Sequence, residues 1–550
     1  MSEMLTLQDV ERARSFYRQG YWRDDTLYSL LRGWAERHPD GYALRDTYSS
    51  LTYREVVEWV DAIAEDLHRS GLRPGDRVSV WLSSRLEIAL VFLACSRMGY
   101  ACNPSLHRDY SCADVVALLD RIGTAAFFMQ PGYGADADRN NILDMVGNLD
   151  RLKKIYRIAP HEAAGSDAAA AGYFGIKQKP ASDLTYSASA DKITFLAFTS
   201  GTTGLPKGVM HSNNSLLANG RSIVKDWSFD TNTVVYALSP LSHNIGIVGL
   251  VVSLVSGGEF VVHTPVDAKR TLDRIIETGA TYLLGVPTHA IDLLSEIDAR
   301  GLGKLGDVTS FQLGGAPVPA ATVRGLAELG VRIQNAFGMT ENCSFQYTRP
   351  DDTPDVVANT CGRSCDGFEI KLWREDNPDE EADPGEGGEI GARGASMMLG
   401  YFGDQKSTEA AYNRHGWFMT GDLGRLDGHG NLTILGRKKD VIIRGGHNIY
   451  PARIENFAMS HDMVVKAAAF PVHDDRLGER VCLAVIADGQ SDLDTDDLLA
   501  HLNQRGLSKY DMPEFFISLA SFPLTASGKV LKRRLVEMVA EGELKPAPVR

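Results

Sequence analysis

The segment from Thr199 to Gly208 combines three glycines, several hydroxyl side chains and a single lysine, directly after an apolar run. Glycine adopts positive φ without steric cost, and its lack of a side chain lets main-chain N–H groups approach an anion closely. The preceding Thr194-Phe-Leu-Ala-Phe198 predicts a buried strand. The loop would then lie at a strand's carboxyl end, where α/β folds bind ligands. It favours an α/β fold that holds a polyphosphate, and the alternative is a plain Ser/Thr/Gly linker.

The residue after the lysine distinguishes this loop from a Walker A loop. That pattern requires Ser or Thr directly after its lysine, whereas Gly208 follows Lys207 here. Thr202 and Thr203 add hydroxyl donors beside the positive charge of Lys207. We therefore predict a nucleotide-using enzyme whose phosphate loop belongs to a different class.

Short apolar segments alternate with helix-length segments, which predicts an α/β fold class with a mostly parallel sheet and helices on both faces. Asp76 to Leu82 is typical of a strand and Glu87 to Gly99 of a helix. Further predicted strands are Ala125 to Met129, Val234 to Leu238, Glu259 to His263, Thr281 to Leu284 and Thr309 to Leu313.

The length of 550 residues predicts more than one domain. Glycine-bounded strands at Gly388 to Gly391 and Gly430 to Leu435 indicate a small antiparallel region. We place the boundary after it, which gives a large N-terminal domain, 1–438, and a small mobile α+β domain, 439–550. His161 to Gly172 and Glu375 to Glu389 are predicted surface loops.

Charge and hydropathy exclude several classes of partner. The formal net charge of −14 disfavours nucleic acid and anionic lipid. The longest apolar run, Ile245 to Ser256, is too short to cross a bilayer and predicts a buried helix. Met1 to Tyr17 is polar and does not resemble a signal peptide, so we predict a cytoplasmic protein. Seven scattered cysteines fit a reducing compartment, and Cys361 with Cys365 lacks the further ligands of a zinc site.

Five further segments, together with Thr199 to Gly208, resemble in order and spacing the motifs of the acyl-adenylate-forming superfamily. That superfamily contains acyl-CoA synthetases, adenylation domains of peptide synthetases and beetle luciferases, and the resemblance covers nearly the whole chain. The segments are Gly314-Gly-Ala-Pro317, Asn335-Ala-Phe-Gly-Met-Thr-Glu341, Gly416-Trp-Phe-Met-Thr-Gly-Asp422, Gly436-Arg-Lys-Lys-Asp440 and Leu524-Thr-Ala-Ser-Gly-Lys529.

The resemblance implies that ATP, Mg²⁺ and CoA are used. Glu341 and Thr202 are expected to place the metal, Asn335 to offer its amide to the adenine amine, and Asp422 with Arg437 to hold the ribose. Taken singly, Glu341, Asp422 and Arg437 would be a surface carboxylate, a turn residue and a solvated charge. The full set of expected ATP-binding residues is Thr199, Ser200, Gly201, Thr202, Thr203, Gly204, Lys207, Gly315, Ala316, Pro317, Asn335, Ala336, Phe337, Gly338, Met339, Thr340, Asp422 and Arg437.

By the same resemblance, the C-terminal domain carries the catalytic lysine and rotates between two half-reactions. Lys529 is expected to offset the charge of carboxylate and α-phosphate as they meet, although a basic tail follows it. Its acylation would remove that charge, so a lysine acetyltransferase acting on Lys529 is among the predicted partners. Lys439 aligns with the hinge residue, and Arg444, Gly445 and Gly446 are expected to bind CoA.

The expected acid pocket surrounds Pro240 to Gly249. His243 has two interpretations, a gate between the ATP and thiol stages and a satisfied interior histidine, and we favour the gate. Glycines between apolar residues predict room for a compact apolar body. Phe16 to Trp22 and the Asn244 that follows His243 resemble dihydroxybenzoate ligases, but Gly249 stands where those enzymes place a hydroxyl partner. The expected substrate-binding residues are His243, Asn244, Val248, Gly249, Gly315 and Gly338.

Two further segments, Arg444 to Ile449 and Asp475 to Arg480, resemble cyclohexanecarboxylate-CoA ligases and medium-chain acyl-CoA ligases. We therefore predict an acyl-CoA ligase that forms an acyl-AMP from a small carboxylic acid, such as cyclohexanecarboxylate or a similar alicyclic or medium-chain acid. The alternative within the same class is an adenylating enzyme that loads the pantetheine of a carrier protein. CoA carries a 3′-phosphate, so a basic cluster of Arg444, Arg453 and Arg480 would favour free CoA over this alternative. A luciferase-like oxygenase and a nonreactive nucleotide-binding module are weaker alternatives. A homodimer is included among the predicted partners.

Overall fold

The computed structural model describes residues 6–7, 9–160, 189–199, 206–264, 268–487, 493–524 and 530–549. The helices of the described residues are, in chain order, α1 (Val10–Gln19), α2 (Leu27–Arg37), α3 (Tyr53–Arg69), α4 (Leu86–Met98), α5 (Cys112–Ile122), α6 (Asn213–Trp227), α7 (Asn244–Ser256), α8 (Ala268–Thr278), α9 (Pro287–Arg300), α10 (Ala320–Glu328), α11 (Pro354–Asn359), α12 (Gln405–Ala410), α13 (Pro451–Ala458), α14 (Thr495–Gln504) and α15 (Lys532–Ala540).

The strands are, in chain order, β1 (Tyr42–Arg45), β2 (Ser50–Thr52), β3 (Arg77–Trp81), β4 (Ala101–Asn103), β5 (Thr124–Met129), β6 (Lys154–Arg157), β7 (Ile193–Thr199), β8 (Lys207–Ser212), β9 (Val234–Ala237), β10 (Glu259–Val262), β11 (Tyr282–Gly285), β12 (Ser310–Gly314), β13 (Arg332–Met339), β14 (Cys343–Tyr347), β15 (Arg363–Ser364), β16 (Phe368–Trp373), β17 (Gly387–Gly394), β18 (Phe418–Leu426), β19 (Leu432–Arg437), β20 (Ile442–Arg444), β21 (His447–Ile449), β22 (Val464–Asp474), β23 (Gly478–Ala487), β24 (Phe515–Ser518) and β25 (Ala547–Pro548).

Two large sheets and the helices packed against them form the N-terminal part. The nine-stranded sheet has the order β15-β14-β13-β12-β11-β9-β10-β1-β2, and its central strands β13, β12, β11, β9, β10 and β1 are parallel. The six-stranded sheet has the order β6-β5-β3-β4-β7-β8. One continuous apolar core joins residues of both sheets to residues of α3, α4, α6 and α7. The predicted α/β fold class is confirmed.

Helix α7 explains how a long apolar run is accommodated in this fold. Its residues from Gly246 to Leu254 are buried, so the helix is apolar on every side. It ends at Gly257, which takes the left-handed conformation (φ 78°) and donates its N–H to Ser253. The predicted buried helix is confirmed. In the part of the chain that the structure describes, no helix combines the length and hydropathy of a membrane span.

Two smaller sheets follow the large ones. Strands β16 to β19 form an antiparallel four-stranded sheet, which ends at Arg437. The next strand, β20, begins at Ile442 in a different sheet of six described strands. The change of sheet occurs within the 3₁₀ turn Lys438–Asp440, which contains the predicted domain boundary. The division into 1–438 and 439–550 stays a prediction.

The predicted strands match observed ones with small shifts of their ends. The predicted strand Gly388 to Gly391, for example, lies within the eight-residue β17. The acidic loop Glu375 to Glu389 connects β16 with β17, and its last three residues belong to β17. The predicted loop His161 to Gly172 lies outside the described residues.

Candidate active site

The glycine-rich loop connects two antiparallel strands of the six-stranded sheet. Thr199 at the end of β7 pairs with Lys207 at the start of β8. Directly before Lys207, the carbonyl of Pro206 accepts a hydrogen bond from the Arg121 guanidinium of α5 at 2.6 Å. Residues 200–205 lie outside the described part, including the expected ATP ligands Ser200, Gly201, Thr202, Thr203 and Gly204. The structure therefore fixes where this loop starts and ends, and it presents Lys207 at the end.

Lys207 and Glu341 meet at the ring of Tyr401. The ammonium of Lys207 lies 4.7 Å from the centroid of the Tyr401 ring, within the range of a cation–π contact. The Tyr401 hydroxyl donates to Oε1 of Glu341 at 3.0 Å. The backbone carbonyl of Glu341 accepts from the N–H of Met398 at 2.7 Å. The phosphate-loop lysine and the expected metal-placing carboxylate are thus organised by one aromatic side chain.

The environment of Glu341 shifts its titration. Burial raises the pKa of the Glu341 carboxyl, and the Tyr401 hydrogen bond with the charges of Lys207 and Arg437 opposes that rise. A carboxylate in this setting is a hard oxygen donor next to two cations. It suits Mg²⁺ that arrives with nucleotide phosphates, because such magnesium sites use one or two carboxylates and complete the shell with phosphate and water.

His211 fixes the backbone immediately before Glu341. Its Nε2 lies 2.7 Å from the carbonyl of Thr340, and its Nδ1 lies 3.0 Å from the hydroxyl of Ser215. Burial lowers the pKa of His211 to about 4, so the imidazole is neutral and its Nε2 donates to Thr340. The Met339 N–H donates to Asn342 Oδ1 at 2.9 Å. These bonds hold the turn that presents Glu341.

The expected adenine wall is built from two strand ends. Gly315, Ala316 and Pro317 follow β12 directly and are exposed, and Gly315 has φ 86°. Ala336, Phe337, Gly338 and Met339 lie in β13, which pairs with β12 in parallel. Thr340 follows β13. At Gly338 an added Cβ would lie 1.8 Å from the carbonyl of Cys343, so only glycine allows β13 and β14 to approach this closely.

The Asn335 amide has a defined orientation. Its Nδ2 donates to the carbonyls of Val357 at 3.0 Å and Thr360 at 2.9 Å. Both amide hydrogens are therefore used, and Oδ1 has the weakly donating Cys361 thiol at 3.9 Å. An adenine amine is a donor and needs an acceptor, so Oδ1 is the atom of Asn335 with capacity for the expected contact.

Asp422 and Arg437, the expected ribose ligands, are cross-strand partners in β18 and β19. Arg437 Nε lies 3.0 Å from Asp422 Oδ1. Asp422 is buried, whereas the Arg437 side chain is 46% exposed and accessible to a ligand. Lys439 lies two residues further on, and burial and the charge of Arg437 lower its pKa. The two expected ribose ligands and the expected hinge residue therefore lie next to each other.

His243 lies at the start of α7 and its ring stacks on that of His107. The ring centroids are 4.3 Å apart, with an angle of 16° between the planes. Burial lowers the pKa of His107 to about 4, and its Nδ1 has no hydrogen-bond partner among the described residues. Asn244 Oδ1 is also buried without a partner there. The gate and interior interpretations of His243 both stay open, and the residue is half-buried.

The glycines of α7 do not create the room that the sequence predicts. A Cβ at Gly249 would lie 3.1 Å from Phe260 and 3.4 Å from Ala237 and Leu284. At Gly246 it would lie 2.4 Å from the carbonyl of Pro240. Both glycines therefore serve close packing of α7, and the prediction of space beside them is wrong. Val248 and Gly249 are buried in the core.

The expected CoA-binding residues form a tight hairpin turn. Gly445 and Gly446 both take positive φ, 58° and 87°, between the paired residues Arg444 and His447. Two central residues at positive φ are typical of a type I′ turn. Arg444 Nη1 lies 3.3 Å from Glu514 Oε1. The turn is narrow because it has no side chains at its tip.

The sequence did not predict some residues of this site, and the structure does not describe Lys529. Residues 525–529 lie outside the described part, so the position of Lys529 stays untested. Tyr401, His211 and His107 had no motif to mark them, because each acts through a partner distant in sequence. Phosphate-loop proximity was the available signal for His211, which lies four residues after Lys207.

The profile of the AMP-binding enzyme family matches residues 31–402, and that of its C-terminal domain matches residues 453–529. The chain belongs to the AMP-binding enzyme family. A medium-chain fatty-acid–CoA ligase of Escherichia coli K12 is 28% identical over 98% of this chain and 96% of its own. A Streptomyces salicylyl-CoA synthase / salicylate adenylyltransferase is 31% identical over 96% of both. This member of the family is an AMP-forming acyl-CoA synthetase.

A third relative and a solved structure complete the comparison. The 3-[(3aS,4S,7aS)-7a-methyl-1,5-dioxo-octahydro-1H-inden-4-yl]propanoyl:CoA ligase of Mycobacterium tuberculosis is 31% identical over 93% of this chain and 99% of its own. The ATP-bound crystal structure of MatB from Rhodopseudomonas palustris superposes with a TM-score of 0.82 at 27% identity, and it covers 95% of this chain and 100% of MatB. The AMP-binding family thus spans fatty, aromatic and alicyclic acids.

Proposed function

We propose that this synthetase activates a compact alicyclic or medium-chain acid, of which cyclohexanecarboxylate is a simple example. In the first half-reaction a carboxylate oxygen attacks the α-phosphorus of ATP, the bond to the β-phosphate oxygen breaks, and pyrophosphate leaves. In the second, the CoA sulfur attacks the acyl carbon and AMP leaves with the electron pair of the broken C–O bond. The thiol proton is lost to solvent or a base.

In the first half-reaction, the residues act by positioning and charge. Lys207, held against Tyr401, offsets negative charge on the phosphates that depart. Asp422 accepts from the ribose hydroxyls and Arg437 holds the same sugar. Lys529 is the proposed cation beside carboxylate and α-phosphate. Removing such a contact costs about 3 kcal/mol or more of transition-state stabilisation.

Magnesium fits the site through Glu341. When bound, Mg²⁺ supplies charge neutralisation and orientation of the phosphates. The carboxylate of Glu341 is an oxygen donor, and the turn held by His211 fixes its backbone. Thr202 is the proposed second protein ligand. Among the described residues no cluster of three or more His, Cys, Asp or Glu forms a metal site, which fits a metal delivered with the nucleotide.

For the second half-reaction we propose that the C-terminal domain turns about Lys439. The turn would withdraw Lys529 and bring Arg444, Gly445 and Gly446 to the acyl-AMP. The side-chain-free tip of their hairpin suits the narrow pantetheine arm of CoA. His243, stacked on His107, is the proposed gate between the two stages.

The preference for an alicyclic or medium-chain acid is supported by two relatives that act on acids of these kinds by name, a medium-chain fatty acid and a bicyclic propanoate. A homodimer, a lysine acetyltransferase acting on Lys529 and a cytoplasmic location stay predictions.

The test is a substrate panel with two readouts. AMP formation with and without CoA, and thioester formation, would be measured with cyclohexanecarboxylate, benzoate, salicylate and straight-chain acids of graded length. We expect the alicyclic acid or a medium-chain acid to have the highest kcat/KM. A strong preference for hydroxylated aromatic acids would contradict the proposal.

A carrier protein as thiol acceptor is favoured by one observation. The basic residues expected to recognise the 3′-phosphate of CoA are already engaged: Arg444 with Glu514, Arg480 with Asp474 at 2.6 Å, and Arg453 with the carbonyl of Gly506 at 3.1 Å. Thioester formation with free CoA and with a pantetheinylated carrier protein, measured at equal thiol concentration, distinguishes the two acceptors.

A further inference from the structure

A layer of buried polar side chains lies within the nine-stranded sheet, on the face that α6 and α7 cover. Gln312 of β12 and Gln334 of β13 are cross-strand partners. The Tyr282 hydroxyl lies 2.8 Å from Oε1 of Gln312 and 2.6 Å from Oε1 of Gln334. All three side chains are at most 1% exposed. Buried polar groups are costly unless each has a partner, so such a layer in an apolar core needs an explanation.

The layer lies directly beneath the candidate active site. Side chains alternate along a strand, so Gln312 points to the same face as Gly314, and Gln334 to the same face as Ala336. Gly314 and Ala336 are themselves partners at the carboxyl ends of these strands. Two residues of strand span about 7 Å. Because Gly314 and Ala336 carry at most a methyl group, no bulky side chain of β12 or β13 separates the layer from the site.

One polar atom of the Gln334 side chain has no hydrogen-bond partner among the residues that the structure describes. Tyr282 has one hydroxyl proton and cannot donate to both glutamines, and Gln334 Nε2 has no partner. If the Gln334 amide is turned over, its Nε2 donates to Tyr282 and its Oε1 loses the partner instead. Either orientation leaves one polar atom of Gln334 unpaired. Ser310 Oγ, one step deeper on this face, is unpaired as well.

The other members of the layer are held by the protein itself. Gln312 Nε2 donates to the hydroxyl of Ser344 at 3.1 Å. Asn219 of α6 donates to the carbonyl of Ser344 at 2.7 Å and accepts from its N–H at 3.3 Å. Gln312, Ser344 and Asn219 thus form a rigid frame, whereas Gln334 and the deeper Ser310 each keep an unpaired polar atom.

We propose that Gln334, positioned by Tyr282, is the floor of the acid pocket, and that the acid carries a hydroxyl or carbonyl oxygen opposite its carboxylate. A carbonyl oxygen would accept from Nε2, and a hydroxyl would donate to Oε1 in the other amide orientation. The inference rests on the proposed function, since it concerns the acid that the same site activates. It narrows the substrate class to oxygenated compact acids.

The experiment compares acids that differ only at the far end. Pyrophosphate release would be measured with cyclohexanecarboxylate, 4-oxocyclohexanecarboxylate and 4-hydroxycyclohexanecarboxylate. The ratio that matters is kcat/KM for the better oxygenated acid divided by kcat/KM for cyclohexanecarboxylate. We expect this ratio to be about ten, and a ratio above about three supports the inference. Gln334→Leu should bring that ratio to three or below by slowing the oxygenated acid alone. The control, Phe311→Leu, alters the opposite face of β12, where Phe311 belongs to a separate core, and should leave the ratio unchanged.

Three results would overturn the inference. A ratio of three or less in the unaltered protein means that the unpaired atoms bind a buried water instead. An equal loss with all three acids in Gln334→Leu means that Gln334 is structural only. If that variant does not fold, the ratio in the unaltered protein decides alone. Failure of every acid in the wider panel would remove the proposed function, and the inference with it.

Discussion

The hydroxyl of Tyr401 donates to Oε1 of Glu341 at 3.0 Å, and the same ring faces the ammonium of Lys207 at 4.7 Å. One tyrosine thereby links the end of the phosphate loop to the carboxylate that we propose as a magnesium ligand. Lys207 and Glu341 both belong to sequence motifs, whereas Tyr401 belongs to none of them.

Tyr401→Phe tests whether this hydrogen bond keeps Glu341 ionised. The bond lowers the pKa of Glu341 against the raising effect of burial, so its loss moves the pKa further upward. In the pH–rate profile of AMP formation, we expect the acid limb to move to higher pH. We also expect the reaction to need a higher Mg²⁺ concentration and its rate at neutral pH to fall about tenfold. The measurement is pyrophosphate exchange against pH and Mg²⁺. Tyr412→Phe, which leaves the bond intact, should not move the acid limb.

Asp422→Asn tests the ribose site separately from stability. The charge that accepts from the ribose hydroxyls is lost, so KM for ATP should rise about tenfold or more. Because Arg437 is 46% exposed, its ion pair with Asp422 contributes little to folding, and we expect a stability change below about 1 kcal/mol. Arg393→Gln removes another cross-strand pair of this sheet, with Glu369, and should leave KM unchanged. A large fall in Tm with an unaltered KM would contradict the assignment.

Lys439→Pro tests the hinge. Proline fixes φ near −65° and blocks rotation of the backbone at that residue. Adenylate formation should stay nearly intact, while thioester formation falls by about a hundredfold, as measured by single-turnover assays of each step. Lys439→Ala removes the same side chain without fixing φ and should support both steps. Equal loss of both half-reactions in the proline variant would show that Lys439 is not the hinge.

Acid should destabilise the fold through its buried histidines. Burial lowers the pKa of His211 and His263 to about 4, whereas an unfolded histidine titrates near 6.5. Between these values the unfolded state binds the extra proton, so stability falls as pH falls from about 6.5 to 4. Each histidine contributes about 1.4 kcal/mol per pH unit in this window.

Unfolding at several pH values measures this dependence. His211→Asn should reduce the slope by one histidine's share, because Asn has no proton to take up. His429→Asn replaces an exposed histidine and should leave the slope unchanged. A slope that His211→Asn does not alter would mean that His211 is protonated in the folded protein.

The sequence predicted the fold class through two local signals. Apolar strand segments such as Val234 to Leu238 are short and separated by helix-length segments, and both properties are local. The helix Asn244–Ser256 was predicted because its apolar run is continuous. The pocket beside Gly249 was predicted wrongly, since a glycine next to apolar residues signals either room or close packing, and the difference depends on Phe260 and Leu284 from other elements.

Sequence alone determined the family, the order of its motifs and the residue types that phosphate and ribose require, because those chemical needs are written in short contiguous segments. Only the tertiary structure decided which atoms meet. Tyr401 between Lys207 and Glu341, the orientation of the Asn335 amide, and the unpaired Gln334 beneath the site each depend on residues tens of positions apart. Hydrogen bonding is directional and short-range, so it is fixed by the packing of strands and helices and not by the spacing of motifs.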